Sequence, residues 1–218
     1  LRSERRLAER HRETVAAALE NTLLDGTFIF RGIPTPVREA GAILETAIRN
    51  ILGAASEKVY QYYHLAPIRP ATDAAAKFLS VDRLDRVDRA LDPLGLVIKS
   101  GGTPRIDVDK PVLAEVLRVF RTKATESGSG RLSGSYLQDR FSSADYGWTK
   151  DTVRYLFAAL LRAGEVEFHI PGDEGPVKTA GPQGVDAVKS TVAFNRIGVS
   201  PRDVRVPLEA LDRSARRL

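Results

Sequence analysis

The chain has no cysteine and no methionine, and none of its apolar runs approaches the roughly 20 residues that cross a bilayer. Without cysteine, a disulfide framework is impossible and a cysteine-ligated zinc site is excluded. The opening Leu1-Arg2-Ser3-Glu4-Arg5-Arg6 carries mixed charge with no apolar core behind it, so this stretch is not expected to be a signal peptide. Together these absences predict a reducing, cytoplasmic setting with no membrane contact. The missing methionine, and a helical pattern already under way at Leu1 with no capping residue before it, give the expectation of an excerpt from a larger protein.

The patterns that carry chemistry are missing too. There is no G-x-x-x-x-G-K-[ST] phosphate loop, and Gly128-Ser129-Gly130-Arg131 lacks its lysine, its spacing and its preceding strand. His11, His64 and His169 are far apart in sequence, and none stands at a metal-ligand spacing. No Gly-x-Ser-x-Gly elbow occurs. Carboxylates are plentiful but alternate with arginines, which suits salt-bridged surfaces better than acid–base work. The expectation is a non-enzymatic fragment with no catalytic residue, no metal site and no cofactor of its own.

What is present is an ordinary globular composition, 43% hydrophobic and 28% charged, over 218 residues. That length exceeds the usual single-domain size of roughly 100–150 residues, so one large or two smaller domains are expected. Basic residues outnumber acidic ones by 33 to 28, for a net charge of +5. This excess favours nucleic acid only if the fold gathers it on one face.

The patterning predicts a mostly α fold with short β-hairpins (α+β), a helical N-terminal domain followed by a winged helix-turn-helix-like domain. Residues 1–24 read as a connecting helix with Arg/Glu interleaving and an apolar stripe of Leu7, Val15, Leu19 and Leu23. A helical domain with short strands follows over 25–108. It contains a strand at Thr27–Phe30, a helix from Val37 to Gly53, short helices over 71–79 and 81–91, and strands at 96–98 and 105–108. Val59-Tyr60-Gln61-Tyr62-Tyr63 is an aromatic high point that reads as a packing cluster, with base stacking as the alternative. Arg83, Arg86 and Arg89 are spaced to grip phosphates, but Asp82, Asp85 and Asp88 precede them one by one and cancel the charge, so a solvated face is expected.

Residues 109–197 have the rhythm of a winged helix. Asp109 and Pro111 open a helix with Val112, Leu113, Val116, Leu117 and Phe120 on its buried stripe. A flexible Glu126–Gly130 linker leads to a helix over Ser135–Phe141 and a turn at Asp145–Trp148. Thr149 then caps a helix that runs to Ala163 and is closed by Gly164. A strand at Glu165–Ile170, a Gly/Pro-rich loop and a strand at Thr191–Phe194 complete the order, and 198–218 reads as a C-terminal tail or helix.

A DNA-reading helix needs polar side chains that point away from the core. Lys150, Arg154 and Arg162 are the candidates on the Thr149–Ala163 helix, with Arg131, Lys178 and Lys189 adding contacts from loops and Trp148 as a structural anchor under the helix start. Against them stands the run Val153, Tyr155, Leu156, Phe157, Ala158, Ala159, Leu160 and Leu161, because a helix apolar on most sides is usually buried on most sides. Duplex DNA contact and a purely structural protein–protein or oligomerisation module both stand at this point.

The segment Tyr146-Gly147-Trp148-Thr149-Lys150-Asp151-Thr152-Val153-Arg154-Tyr155-Leu156, continued through Ala158 to Gly164, resembles the C-terminal region of the large P-loop, AAA-like ATPase subunit of bacteriophage-exclusion (BREX) and phage-growth-limitation defence systems. Asp92-Pro93-Leu94-Gly95-Leu96-Val97 and the stretch from Phe194 to Pro201 fit the same resemblance. It implies an accessory region of a bacterial phage-defence ATPase that engages DNA or other defence-complex subunits. ATP and Mg²⁺ would belong to the parent protein, through which the region would also oligomerise. With no phosphate loop here, no ATPase residue carries over to this chain.

Overall fold

A computed structural model describes residues 2–99, 102–172 and 175–202. The protein is mostly helical with short antiparallel strand pairs, an α+β fold. It divides into two compact units, Leu1–Gln61 and Tyr62–Leu218. The boundary therefore falls at residue 61, not near 108 as expected, because the segment from Tyr62 onward packs into the core of the second unit.

The first unit opens with α1 (Arg2–Leu24) and a hairpin of β1 (Thr27–Phe30) and β2 (Ile33–Pro36), which pairs Phe30 with Ile33. Arg31 and Gly32 both take positive φ at the tip, as a two-residue hairpin turn demands. The single helix expected from Val37 is instead two, α2 (Val37–Ala40) and α3 (Leu44–Val59). The break comes at Gly41, where a Cβ would stand 2.9 Å from the Ala47 nitrogen, so glycine lets the two helices meet closely. The second of them runs past Gly53 because a lone glycine only weakens a helix. The core here is thin: Leu24, Ala47 and Ile51 are its buried hydrophobic residues. Leu7, Val15, Leu19 and Leu23, the stripe read from the sequence, are each more than half exposed on α1.

The second unit is built around one helix. It runs through α4 (Ala74–Ser80), the hairpin β3 (Val97–Ile98) and β4 (Arg105–Ile106), then α5 (Pro111–Glu126), β5 (Leu132–Ser133), α6 (Gly134–Ser142) and α7 (Lys150–Ala163). It ends with β6 (Val166–His169), α8 (Pro182–Val188), α9 (Thr191–Arg196) and β7 (Gly198–Pro201). A three-stranded antiparallel sheet orders as β5-β7-β6, with Val199 facing Leu132 on one side and Phe168 on the other. Helices α4, α6, α8 and α9 all pack on α7.

Several expected elements differ. The helix over 81–91 is only a 3-10 turn at Leu84–Arg86, because Arg83 clasps Asp85 and Asp88 takes the Leu91 N–H, both in competition with helical bonding. Lys110, not Asp109, stands at the N-cap of α5, with Pro111 in the first turn as expected. Thr191–Phe194 is helical, because the Ser190 hydroxyl accepts from the Ala193 N–H and caps α9. The strand assigned there lies further on, at Gly198–Pro201, so residues set aside as a tail form the central strand of the sheet. The remainder of the expected tail, 203–218, lies outside the described residues.

Candidate interaction surfaces

Helix α7 was the candidate reading helix, and its ends form as the sequence predicts. The Thr149 hydroxyl accepts from the Thr152 N–H, and Gly164 closes the helix in the left-handed region at φ +76°. Between the caps, every residue from Asp151 to Leu161 is buried. Such a helix has no face left to enter a groove.

The sequence-predicted cations fare differently from one another. Arg154 is 1% exposed. Its guanidinium donates to Asp151 at 2.5 Å, to the Thr72 carbonyl at 2.8 Å and to the Val188 carbonyl at 2.6 Å. It thereby ties α7 to the segment before α4 and to the end of α8, and it is a structural strut, not a DNA contact. Burial pushes the Asp151 carboxyl up, but hydrogen bonds from Arg154 and from Arg69 outweigh it and hold the group below the usual carboxylate range. Arg69, which the sequence reading missed, reaches Asp151 across 82 positions, a separation with no local signal. Arg162 also turns inward: it donates to the Phe78 carbonyl at 2.7 Å and lies over the Phe78 ring. Burial lowers its pKa.

Lys150 is exposed at the first turn of α7 and forms no ion pair among the described residues. Lys189 is exposed and pairs with Asp186 at 2.9 Å. Lys178 is exposed and lies 3.9 Å from Glu167. Arg131 is exposed just before β5. The structure thus does not bring the six candidate cations together on one face; four of them (Lys150, Arg131, Lys178 and Lys189) lie on loops and at helix ends, and two (Arg154 and Arg162) turn inward.

Trp148 is the anchor that the sequence predicted. It is buried, stacked on Phe141 at 5.6 Å with an interplanar angle of 9°, and its Nε1 donates to the Tyr62 carbonyl at 3.2 Å. Tyr146 packs edge-on against it at 4.9 Å, stacks with Tyr62 at 5.2 Å and donates its hydroxyl to Glu115 at 2.5 Å. Burial and that bond both push the Tyr146 hydroxyl pKa up. Gly147 (φ +63°) and Asp145 (φ +80°) bend the chain so that both rings face inward. Of the Val59–Tyr63 aromatic run, Tyr62 thus packs inward as expected, whereas Tyr60 and Tyr63 are exposed.

Asp92 holds the Asp92–Val97 turn. Its carboxylate accepts from the Leu96 and Val97 N–H groups at 2.7 and 2.8 Å and from the Tyr155 hydroxyl at 3.0 Å. Lys110 closes the same turn with bonds to the Leu94 and Gly95 carbonyls at 2.7 and 2.6 Å.

The histidines do not converge. His11 and His64 are exposed, and His169 sits half-buried on β6 with its Nε2 2.7 Å from the Ser200 hydroxyl. Burial and the neighbouring Arg131 lower the His169 pKa, partly opposed by Glu167. Among the described residues, no group of three His, Cys, Asp or Glu side chains could hold a metal ion, and no helix is long and apolar enough to cross a membrane. At the end of the sheet, Arg131, His169, Arg196 and Gly198 line an open cleft of about 550 Å³. Arg196 was not singled out in the sequence, where it reads as an ordinary basic helix end. No family model, no curated protein and no solved structure matches this chain.

Proposed function

We propose that this chain is a non-catalytic accessory region of a bacterial phage-defence ATPase, and that it works by docking partner subunits rather than by reading DNA bases. The observation that carries the docking half is the burial of α7 from Asp151 to Leu161, which removes the polar face that base readout requires. The exposed apolar stripe of α1 supports it from the first unit, since contiguous apolar surface of this kind marks protein contact. The helix–strand–helix–helix–strand order and the β5-β7-β6 sheet support a winged-helix reading of the second unit, used as a scaffold.

The assignment to a defence ATPase rests on the resemblance of three segments, and these segments meet around α7. Asp92 bonds Tyr155, and Phe194 packs 5.9 Å from Phe157. No ATP step is assigned to this chain, which has no phosphate loop. Any DNA engagement is confined to backbone phosphates, through cations such as Lys150.

Two measurements test the reading. Selection of duplexes from a random pool is expected to enrich no consensus, and a recovered consensus sequence would overturn the exclusion of base readout. Co-expression with the remaining subunits of such a defence system, followed by gel filtration, is expected to give co-elution that Leu19→Glu with Leu23→Glu abolishes. Separate elution of the wild-type chain would sink the docking proposal.

A further inference from the structure

Every residue of α1 from Ser3 to Leu23 is exposed, and Leu24 is its one buried residue among those described. A helix about 34 Å long that packs on so little of its own chain lacks the tertiary contacts from which helices in proteins draw most of their stability. The unit around it is short of core as well. Over Leu1–Gln61 the buried hydrophobic side chains among those described are Leu24, Ala47 and Ile51, while Ile29, Ile33, Ile43, Ile48 and Leu52 are exposed along with the α1 stripe. A unit of that size with so little burial needs a further surface to complete it.

The order of residues along α1 indicates which surface that is. Leu7 and Leu23 stand at equal distances in sequence on either side of Val15. At about 100° per residue, Leu7, Val15, Leu19 and Leu23 fall within one half of the helix circumference, with Val15 at the middle of that arc. Charge divides about the same point. Before Val15 stand Arg2, Arg5, Arg6, Arg10 and Arg12 against Glu4, Glu9 and Glu13, and from Val15 to Leu24 the one charge is Glu20. The last turn holds no base, although the helix's own dipole favours one there. An apolar arc centred on one residue, basic before it and acidic after it, is complementary to itself under a two-fold rotation, which is what an isologous dimer requires.

We propose that α1 pairs antiparallel with α1 of a second copy of this chain, about a two-fold axis at Val15. Leu7 then lies by the partner's Leu23, Val15 meets its own counterpart, and the basic half of each helix runs beside the acidic end of the other. Parallel pairing would set the two basic halves side by side, at a Coulombic cost. The proposal deepens the docking reading: it rests on the same exposed stripe and names a second copy of this chain as the subunit docked there.

The test uses the whole chain. Sedimentation velocity across the micromolar range is expected to show a reversible dimer of twice the 23.9 kDa chain mass. Because the chain has no cysteine, single introduced cysteines report the register. Val15, Leu7 and Leu23 are each more than half exposed, so substituting them does not endanger the fold. On oxidation Val15→Cys should crosslink to itself, and Leu7→Cys should crosslink to Leu23→Cys in a mixture but not to itself, since a disulfide needs Cα atoms within about 7 Å. Val192→Cys, exposed on α9 in the second unit, gives the collisional background. Val15→Glu sets two like charges at the axis and should weaken the dimer about tenfold or more. Self-crosslinking of Leu7→Cys, crosslinking of Val15→Cys no faster than that of Val192→Cys, or a dimer indifferent to Val15→Glu would each overturn the proposal. A chain that stays monomeric throughout would overturn it too and would hand the stripe to a different subunit; co-elution with the other defence subunits then decides the docking reading separately.

Discussion

Arg154 is the residue at which sequence logic and structure part most sharply. One helical turn from Lys150, it stood on what looked like a polar, groove-facing side, yet it is buried and donates to Asp151, Thr72 and Val188. The sequence did hold a warning: Asp151 lies three residues before it, the spacing of an ion pair on one helix face, and apolar residues surround it. What the sequence could not reveal was that the partners Thr72 and Val188 arrive from 82 positions upstream and 34 downstream. Removing one member of a buried charged pair strands the other, so Arg154→Ala should cost about 3–5 kcal/mol of stability. Urea denaturation checks this. A variant with unchanged midpoint would return Arg154 to the surface. Trp148 was legible for the opposite reason: a large aromatic beside a turn glycine and a helix cap has few places to go except inward.

Elements were legible where caps and periodicity agreed. Thr149 and Gly164 bound α7 as expected, and the apolar spacing of Val112, Leu113, Val116, Leu117 and Phe120 gave α5 its buried face. Where the two signals competed, the cap won. The Thr191-Val192-Ala193-Phe194 run has strand-forming residues, but Ser190 supplies a side-chain acceptor that nucleates α9 instead. This displaced the last strand to Gly198–Pro201, whose Gly and Pro argue against a strand until its role as partner to both β5 and β6 is known. Helix α9 is seated tightly on α6. A Cβ on Gly134 would stand 1.8 Å from the Phe194 carbonyl oxygen, which no rotamer change can relieve. Gly134→Ala should therefore force the two helices apart and destabilise the second unit by about 2 kcal/mol or more. A shift in the urea midpoint measures it, and an unshifted Gly134→Ala midpoint would mean that α6 and α9 are less closely packed than described.

At the scale of the whole molecule, the two units are unequal. The first buries Leu24, Ala47 and Ile51 and leaves Ile29, Ile33, Ile43 and Leu52 exposed, whereas the second buries a continuous cluster from Ala66 to Val199. With apolar burial worth about 25 cal/mol per Å², the first unit has little to hold it against chain entropy. Thermal unfolding followed by far-ultraviolet circular dichroism should show a broad early phase and a separate cooperative one. Hydrogen exchange should place the early phase in residues 1–61. A single transition with uniform protection would mean that the units stabilise one another. The division itself was only half legible. Two domains followed from length, but the boundary did not, because Tyr62 looks like part of the Val59–Tyr63 aromatic run while its backbone is bonded to Asp145 and Trp148.

That same bond gives the protein a natural optical label. Trp148 is the chain's single tryptophan, and its indole N–H is held by the first residue of the second unit, in an apolar enclosure made by Phe141 and Tyr146. Its emission reports on one unit alone, blue-shifted while the Tyr62 strap is latched and red-shifted once water reaches the ring. Events confined to the long N-terminal helix are silent in this channel, so a ligand or partner that changes the tryptophan signal must have reached the second unit.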